Sequence, residues 1–130
     1  MTSVPETAYG HIEMKDQKTA APAGLQLNAT EMAVREYFKD IPVMVSIARC
    51  ESRFRHTLVG GSVLRGTVDA ADLGVMQINT RYHAARAEKL GLDLHSLGDN
   101  MAYARELYEK QGTAPWNSSA ACWSRTLAHA

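Results

Sequence analysis

The sequence predicts a mainly α-helical domain with at most one short β-hairpin, in residues 55–73. Three observations lead to this prediction. Apolar residues recur at helical spacing in most of the chain after residue 28. Capping residues and glycines divide these runs into four or five helices. Only residues 55–73 combine paired glycines with β-branched residues, as a short hairpin does.

The composition is that of one ordinary globular domain. The chain has 130 residues, 45% of them hydrophobic and 22% charged, which is enough for one core but not for two. Fourteen basic residues balance fourteen acidic ones, and no basic cluster predicts a nucleic-acid partner. No apolar run approaches the ~20 residues of a membrane helix, so we expect no transmembrane segment. We further expect a monomer that needs no cofactor.

Residues 1–27 are predicted to form a polar tail or linker, and residues 28–130 to form the folded domain. The first segment scatters prolines and glycines among polar residues, so it can bury little apolar surface. It also lacks the apolar core and the small-residue cleavage site of a signal peptide. If the protein is exported, we therefore expect its leader to lie outside this sequence.

The first predicted helix follows this segment. Val34 and Phe38 lie at helical spacing, which predicts an amphipathic helix over roughly 29–39. Asn28 or Thr30 is expected to cap it, because their side chains can accept hydrogen bonds from the first backbone N–H groups.

A second helix is predicted to begin at Pro42, because proline suits the first turn of a helix. Glu51 then falls near its C-terminal end, where the helix macrodipole disfavours a negative charge. A wide apolar face makes this a buried, central helix. That face is formed by Val43, Met44, Ile47, Ala48 and Cys50.

Three further helices are predicted after residue 73, each bounded by capping residues and by glycine or proline. The first runs from Asn79 or Thr80 to about Leu90, and the second from a cap within 96–100 to about Gln111. The third follows a turn at 115–118 and contains Cys122 and Trp123.

Glu51 is the leading candidate for chemistry. Apolar neighbours such as Val75, Met76 and Ile78 would raise its pKa by desolvation, which keeps a carboxylic acid protonated near neutral pH. Such an acid can protonate the leaving oxygen of a glycosidic bond. The alternative is an ordinary surface glutamate that pairs with a neighbouring arginine.

A second carboxylate is less evident in the sequence. Glycoside hydrolysis usually places two carboxyl groups about 5–9 Å apart. Asp69 and Asp72 lie in the Gly-rich segment, where turn residues are the simpler interpretation. Asn79 is an amide and cannot act as a base.

The remaining polar and aromatic residues indicate no other reaction class. His56, His83 and His95 lack the spacing of metal ligands, so we expect no metal site. No serine has the Gly-x-Ser-x-Gly context of a serine hydrolase. Tyr82 and Trp116 are candidates for stacking on the faces of sugar rings.

Cys50 and Cys122 allow two interpretations. They could form a disulfide across most of the domain, which would indicate an oxidising compartment. They could equally be two buried thiols, since cysteine is often simply a core residue.

Two motifs carry a resemblance to a known family. Residues 47–54 read Ile-Ala-Arg-Cys-Glu-Ser-Arg-Phe, residues 74–79 read Gly-Val-Met-Gln-Ile-Asn, and Asn100 opens a later helix. Over residues 33–123 the chain resembles the catalytic domain of soluble lytic transglycosylases, in the lysozyme-like superfamily. The Cys-Glu-Ser opening and a late Pro-Trp followed by Cys122 also resemble the resuscitation-promoting factor branch. The matching cysteines of that branch form a disulfide, so the resemblance implies a Cys50–Cys122 bond.

The resemblance implies a lysozyme-like fold, an extracytoplasmic location and peptidoglycan strands as the partner. Glu51 matches the single catalytic acid and base of the family. The implied reaction breaks the bond between N-acetylmuramic acid and N-acetylglucosamine and forms a 1,6-anhydro sugar, for which no second carboxylate is needed. The residues expected to bind substrate are Ser52, Met76, Gln77, Asn79, Tyr82 and Trp116.

Two departures from the family pattern leave alternatives open. The late Ala-Tyr-Asn motif is replaced by Pro-Trp-Asn-Ser at 115–118, so the tyrosine near the acid has no match. Goose-type lysozymes carry an aspartate where this chain has Asn79. The alternatives are a lysozyme-type hydrolase that uses Asp69 or Asp72, a non-catalytic peptidoglycan-binding module of the same fold, and a helical interaction domain with a chance motif.

Overall fold

The structure is a computed structural model that describes the backbone of residues 23–128 and the side chains of residues 29–125. Within this part of the chain it has five α-helices, one 3-10 helix and one two-stranded antiparallel hairpin. The predicted mainly helical class is therefore confirmed. The elements are α1 (Ala23–Tyr37), α2 (Pro42–Ser52), β1 (Asp72–Leu73), β2 (Ile78–Asn79), α3 (Thr80–Lys89), α4 (Leu97–Gln111), the 3-10 helix (Ala114–Ser119) and α5 (Ala120–Ala128).

Helix α1 begins earlier than predicted. It starts at Ala23 instead of near residue 29, so Asn28 and Thr30 lie inside the helix and do not cap it. The last residues of the predicted tail therefore belong to a helix. The rest of that tail, up to residue 22, lies outside the described residues.

Helix α2 is the central helix, as predicted. Pro42 occupies its first turn, and Arg53 closes it in the left-handed conformation with a φ of 54°. Met44, Ile47 and Ala48 are fully buried. The helix packs against α1, α5 and the 3-10 helix, so the residues at its C-terminal end are surrounded by other elements.

The hairpin lies later in the chain than predicted. β1 pairs with β2 so that Leu73 is opposite Ile78, and both side chains are buried. The predicted segment 55–73 otherwise contributes only isolated bridges among the described residues. Its β-branched Val59 and Val68 are 81% and 100% exposed, so they cover no apolar face that could hold a longer strand pair in place.

Asn100 on α4 fixes the turn between β1 and β2. It is fully buried, and its Nδ2 donates to the carbonyls of Leu73 and Leu94 at 3.0 and 2.9 Å. Its Oδ1 accepts the Met76 N–H at 3.0 Å. Gly74 has a φ of 79°, and a Cβ there would lie 2.5 Å from Asn100 Nδ2. The turn therefore needs glycine both for its conformation and for this close approach.

His56 supports the same turn from another side. Its Nδ1 accepts the Val75 N–H at 3.0 Å, which leaves Nε2 to donate to the His95 carbonyl at 2.7 Å. Burial lowers the pKa of His56, in keeping with the neutral ring that these two hydrogen bonds require. His56 is thus a structural residue of the core.

The predicted boundaries of α4 are close to those observed. Ser96 caps the helix, because its Oγ accepts the Asp99 N–H at 3.2 Å, and Gly112 ends it with a φ of 62°. Helix α3 starts after Asn79, but the Asn79 side chain forms no capping hydrogen bond. Across residues 23–128, none of the helices has both the length and the apolar character that crossing a bilayer requires.

A disulfide joins α2 to α5. The Sγ atoms of Cys50 and Cys122 are 2.02 Å apart, and their Cα atoms are 6.0 Å apart. The bond implied by the resemblance is therefore confirmed, and the two-thiol interpretation is wrong. Because Cys50 directly precedes Glu51, the bond holds the candidate acid against the C-terminal part of the chain.

Candidate active site

Glu51 lies in the last turn of α2, where its side chain is half-buried. Its Oε2 accepts a hydrogen bond from Ser119 Oγ at 2.6 Å. Burial raises the pKa of Glu51 above its ordinary value, the charge of Asp72 adds to the rise, and the bond from Ser119 opposes it. No arginine among the described residues pairs with Glu51. The direction of this shift agrees with the prediction from the sequence, and the alternative of an ion pair with a neighbouring arginine is not observed among the described residues.

Ser119 is a site residue that the sequence reasoning missed. It ends the 3-10 helix, three positions before Cys122. The disulfide places Cys122 beside Cys50, the neighbour of Glu51, and residues three apart share a helical face. The cysteine pairing together with this spacing is the signal that could have found Ser119.

Trp116 anchors the 3-10 helix instead of facing a groove. The indole is 1% exposed, and its Nε1 donates to the Met76 carbonyl at 2.9 Å. The Trp116 carbonyl accepts from Ser119 Oγ and from Trp123 Nε1, both at 3.1 Å. Trp116, predicted to bind substrate, is therefore enclosed in the core, where it connects the hairpin turn to the residue that contacts Glu51.

Met76 and Gln77 lie in the turn between β1 and β2, where they differ in exposure. The Met76 side chain is fully buried, so it lies in the core and not on a groove wall. Gln77 is half-buried with a φ of 51°, and its Nε2 donates to the Gly74 carbonyl at 3.0 Å. Of this predicted pair, only Gln77 is partly exposed.

Ser52, the neighbour of Glu51, is also buried. Its Oγ donates to the Ala48 carbonyl at 3.0 Å and accepts the Arg55 N–H at 3.3 Å. The hydroxyl therefore stabilises the end of α2 and the chain that leaves it. In this conformation Ser52 presents no group to a ligand.

Asn79 lies between two carboxylates. Its Nδ2 donates to Asp69 Oδ2 at 3.0 Å and to Asp72 Oδ1 at 2.9 Å. An aspartate at this position would place three carboxylates together. This arrangement gives a physical reason for the asparagine that departs from the goose-type pattern.

Asp69 is held by its own partners. Arg81 donates to both of its oxygens, at 3.1 and 3.0 Å, and the Ala71 N–H donates to Oδ1 at 2.9 Å. The hydrogen bonds from Arg81, from the Ala71 backbone and from Asn79 lower the pKa of Asp69 to about 2. Of the two predicted aspartates, Asp72 is the one whose charge adds to the raised pKa of Glu51.

Tyr82 is the one predicted aromatic contact that remains on the surface. It lies in the first turn of α3 and is 75% exposed. An exposed tyrosine ring is free to stack on a sugar face, whereas Trp116 is not.

A cavity of about 550 Å³ lies on the disulfide side of α2. It includes Cys50 but not Glu51, so it is a separate feature from the candidate site. The guanidinium group of Arg35, which lines it, pairs with Glu31 at 2.9 Å and lies 5.5 Å from the centre of the Phe54 ring. The lining residues are Glu31, Arg35, Arg49, Cys50, Arg53, Phe54 and Cys122.

The candidate site is therefore a connected set of residues from distant parts of the chain. Glu51 contacts Ser119, Ser119 contacts Trp116, and Trp116 contacts Met76 in the hairpin turn. Comparisons of the chain with protein-family models, with curated proteins and with solved structures find no match.

Proposed function

We propose that this protein is a peptidoglycan lytic transglycosylase with a lysozyme-like fold, in which Glu51 is the catalytic acid and base. The environment of Glu51 carries the proposal: the residue is half-buried, burial raises its pKa, and the Ser119 hydroxyl group donates a hydrogen bond to its carboxyl group. A carboxylic acid of this kind can keep a proton near neutral pH and transfer it to a sugar oxygen.

In the first proposed step, protonated Glu51 donates its proton to the oxygen that bridges N-acetylmuramic acid and N-acetylglucosamine. The bond between the anomeric carbon of the muramic acid and this oxygen then breaks, and the N-acetylglucosamine leaves with the transferred proton. Glu51 becomes a carboxylate. The bond from Ser119 Oγ at 2.6 Å stabilises this charged form.

In the second step, the 6-hydroxyl group of the same muramic acid attacks the anomeric carbon. Its proton passes to the Glu51 carboxylate, which restores the acid, and the product ends in a 1,6-anhydro ring. The nucleophile belongs to the substrate, so this route needs no second carboxylate. Asp69 has no role in this route, which agrees with the hydrogen bonds that Arg81 and Asn79 donate to its carboxylate.

The second candidate function is a lysozyme-type hydrolase, and the charge of Asp72 favours it. Asp72 is the described carboxylate whose charge adds to the raised pKa of Glu51, and hydrolysis with water usually uses a second carboxylate. The two functions give different products, because a hydrolase releases a sugar that is heavier by one water than the anhydro form. Replacing Asp72 by asparagine should abolish hydrolysis but leave transglycosylation largely intact.

The experiment is product analysis by mass spectrometry after digestion of purified peptidoglycan. The proteins compared are wild type, Glu51→Gln and Glu88→Gln, where Glu88 is an exposed glutamate that serves as the matched control. We expect anhydro products from wild type and Glu88→Gln, and a loss on the order of 10²–10⁴-fold in Glu51→Gln. Full biological activity of Glu51→Gln would instead indicate a non-catalytic peptidoglycan-binding module.

The proposal places the protein outside the cytoplasm, where peptidoglycan lies. The disulfide is compatible with that location, since disulfides persist mainly in oxidising compartments.

A further inference from the structure

We infer that Ser119 is the positioning residue of the Glu51 acid and that it acts by donating a hydrogen bond to the Glu51 carboxylate. The inference rests on the proposed function, since it bears on catalysis only if Glu51 transfers protons. The Oγ of Ser119 lies 2.6 Å from Glu51 Oε2. This is the short distance of a hydroxyl that donates to an ionised oxygen.

The hydroxyl group of Ser119 can donate its hydrogen to Glu51 without leaving another buried acceptor unbonded. A serine hydroxyl has a single hydrogen, and its other acceptor here is the Trp116 carbonyl at 3.1 Å. That carbonyl also accepts from Trp123 Nε1 at 3.1 Å. The Trp116 carbonyl therefore keeps a partner when the hydrogen of Ser119 is directed at Glu51, and no buried acceptor is left without a bond.

Two anchors fix Ser119 in front of Glu51. On one side, the buried indole of Trp116 ties the 3-10 helix to the Met76 carbonyl at 2.9 Å. On the other side, Cys122 is bonded to Cys50, the residue before Glu51. A side chain held from two directions loses little entropy when it makes its hydrogen bond, which is the property a positioning group needs.

The groups that act on the Glu51 carboxyl come from two other elements. Ser119 approaches from the 3-10 helix, and Asp72 on β1 supplies a charge that raises the pKa of Glu51. No cationic side chain among the described residues pairs with the carboxyl group. Ser119 is therefore the group that favours the ionised form, against burial and Asp72, which favour the protonated form.

The experiment measures the pKa of Glu51 directly, by ¹³C NMR titration of its labelled carboxyl group. Hydrogen bonds to ionised groups are roughly twice as strong as neutral ones, so Ser119→Ala should move the Glu51 pKa upward. Ser119→Thr keeps a hydroxyl group and should restore the wild-type value. Ser118→Ala removes an exposed hydroxyl group one position away and should leave the pKa unchanged. If Ser119→Ala does not fold, Ser119→Val, which has the shape of the threonine variant without its hydroxyl group, replaces it.

A kinetic measurement on the same variants completes the test. We expect Ser119→Ala to lower kcat by about tenfold, the effect of losing one charge-assisted bond, and to move the alkaline limb of the pH profile upward with the measured pKa. Ser119→Thr should recover both. A folded Ser119→Ala variant with an unchanged Glu51 pKa overturns the inference, even if its stability is reduced. The titration needs no turnover, so it separates this failure from a failure of the proposed function, in which wild type itself cleaves nothing.

Discussion

The disulfide gives a prediction whose size follows from the length of the loop that it closes. The double variant Cys50→Ala/Cys122→Ala removes a cross-link between residues 72 positions apart. In the chain-entropy treatment, a loop of this length restricts the unfolded chain by roughly 15 cal/mol/K, which is about 4 kcal/mol at 25 °C. Domains are stable by only about 5–15 kcal/mol, so the double variant should be close to the limit of folding.

The assay is urea unfolding followed by tryptophan fluorescence, which reports on the buried Trp116 and Trp123. We expect the free energy of unfolding to fall by about 4 kcal/mol in the double variant. Reductant should lower the wild type to the same value and leave the double variant unchanged, which is the control. A difference between oxidised wild type and double variant of less than about 1 kcal/mol would refute the reasoning.

Two further predictions concern charge around Glu51. Burial raises the Glu51 pKa, and the acid must start protonated, so the rate of cleavage should fall as the pH rises through that raised pKa. A rate that stays constant to strongly alkaline pH would show that Glu51 is not the acid. The folded state binds this proton more tightly than the unfolded chain, so the contribution of Glu51 to stability is greatest below the unfolded pKa and is lost as the pH rises through the folded one. Asn79→Asp deprives Asp72 of its amide donor and adds a carboxylate. The free energy of unfolding of Asn79→Asp at neutral pH should be about 1–3 kcal/mol below that of wild type, and the difference should be smaller at acidic pH. Asn117→Asp changes an exposed asparagine and is the control. Equal stability of the two variants would contradict the prediction.

The helices were predictable where a long apolar stripe and a terminal signal coincide. Helix α2 has both, since Pro42 opens it and its apolar face is wide. The start of α1 is earlier than the sequence predicts. Gly24 and the cap-like Asn28 both favour a helix that begins after residue 28, and only tertiary contacts could indicate the earlier start. The hairpin was misplaced, because strands of two residues carry no alternating pattern.

The acid was predictable and its surroundings were not. Glu51 was found from a local motif at the end of a helix. The role of Trp116 depends on a hydrogen bond to the Met76 carbonyl, 40 positions earlier in the chain. The contact from Ser119 spans 68 positions, and a hydroxyl group in a run of two serines has no distinguishing local pattern. Such partners are set by tertiary packing, which hydrophobic periodicity does not specify.

The long-range bond between Ser119 and Glu51 also determines when the site can form during folding. A chain that has already folded α2 still lacks the hydroxyl partner of its acid until the segment from Ser119 to Cys122 packs against that helix. Contacts so distant along the chain form late, because the entropy of loop closure must be overcome before they are made. Oxidation of the two thiols is slower still, on a scale of seconds to hours. Completion of the acid site is therefore a late event in the folding of this domain.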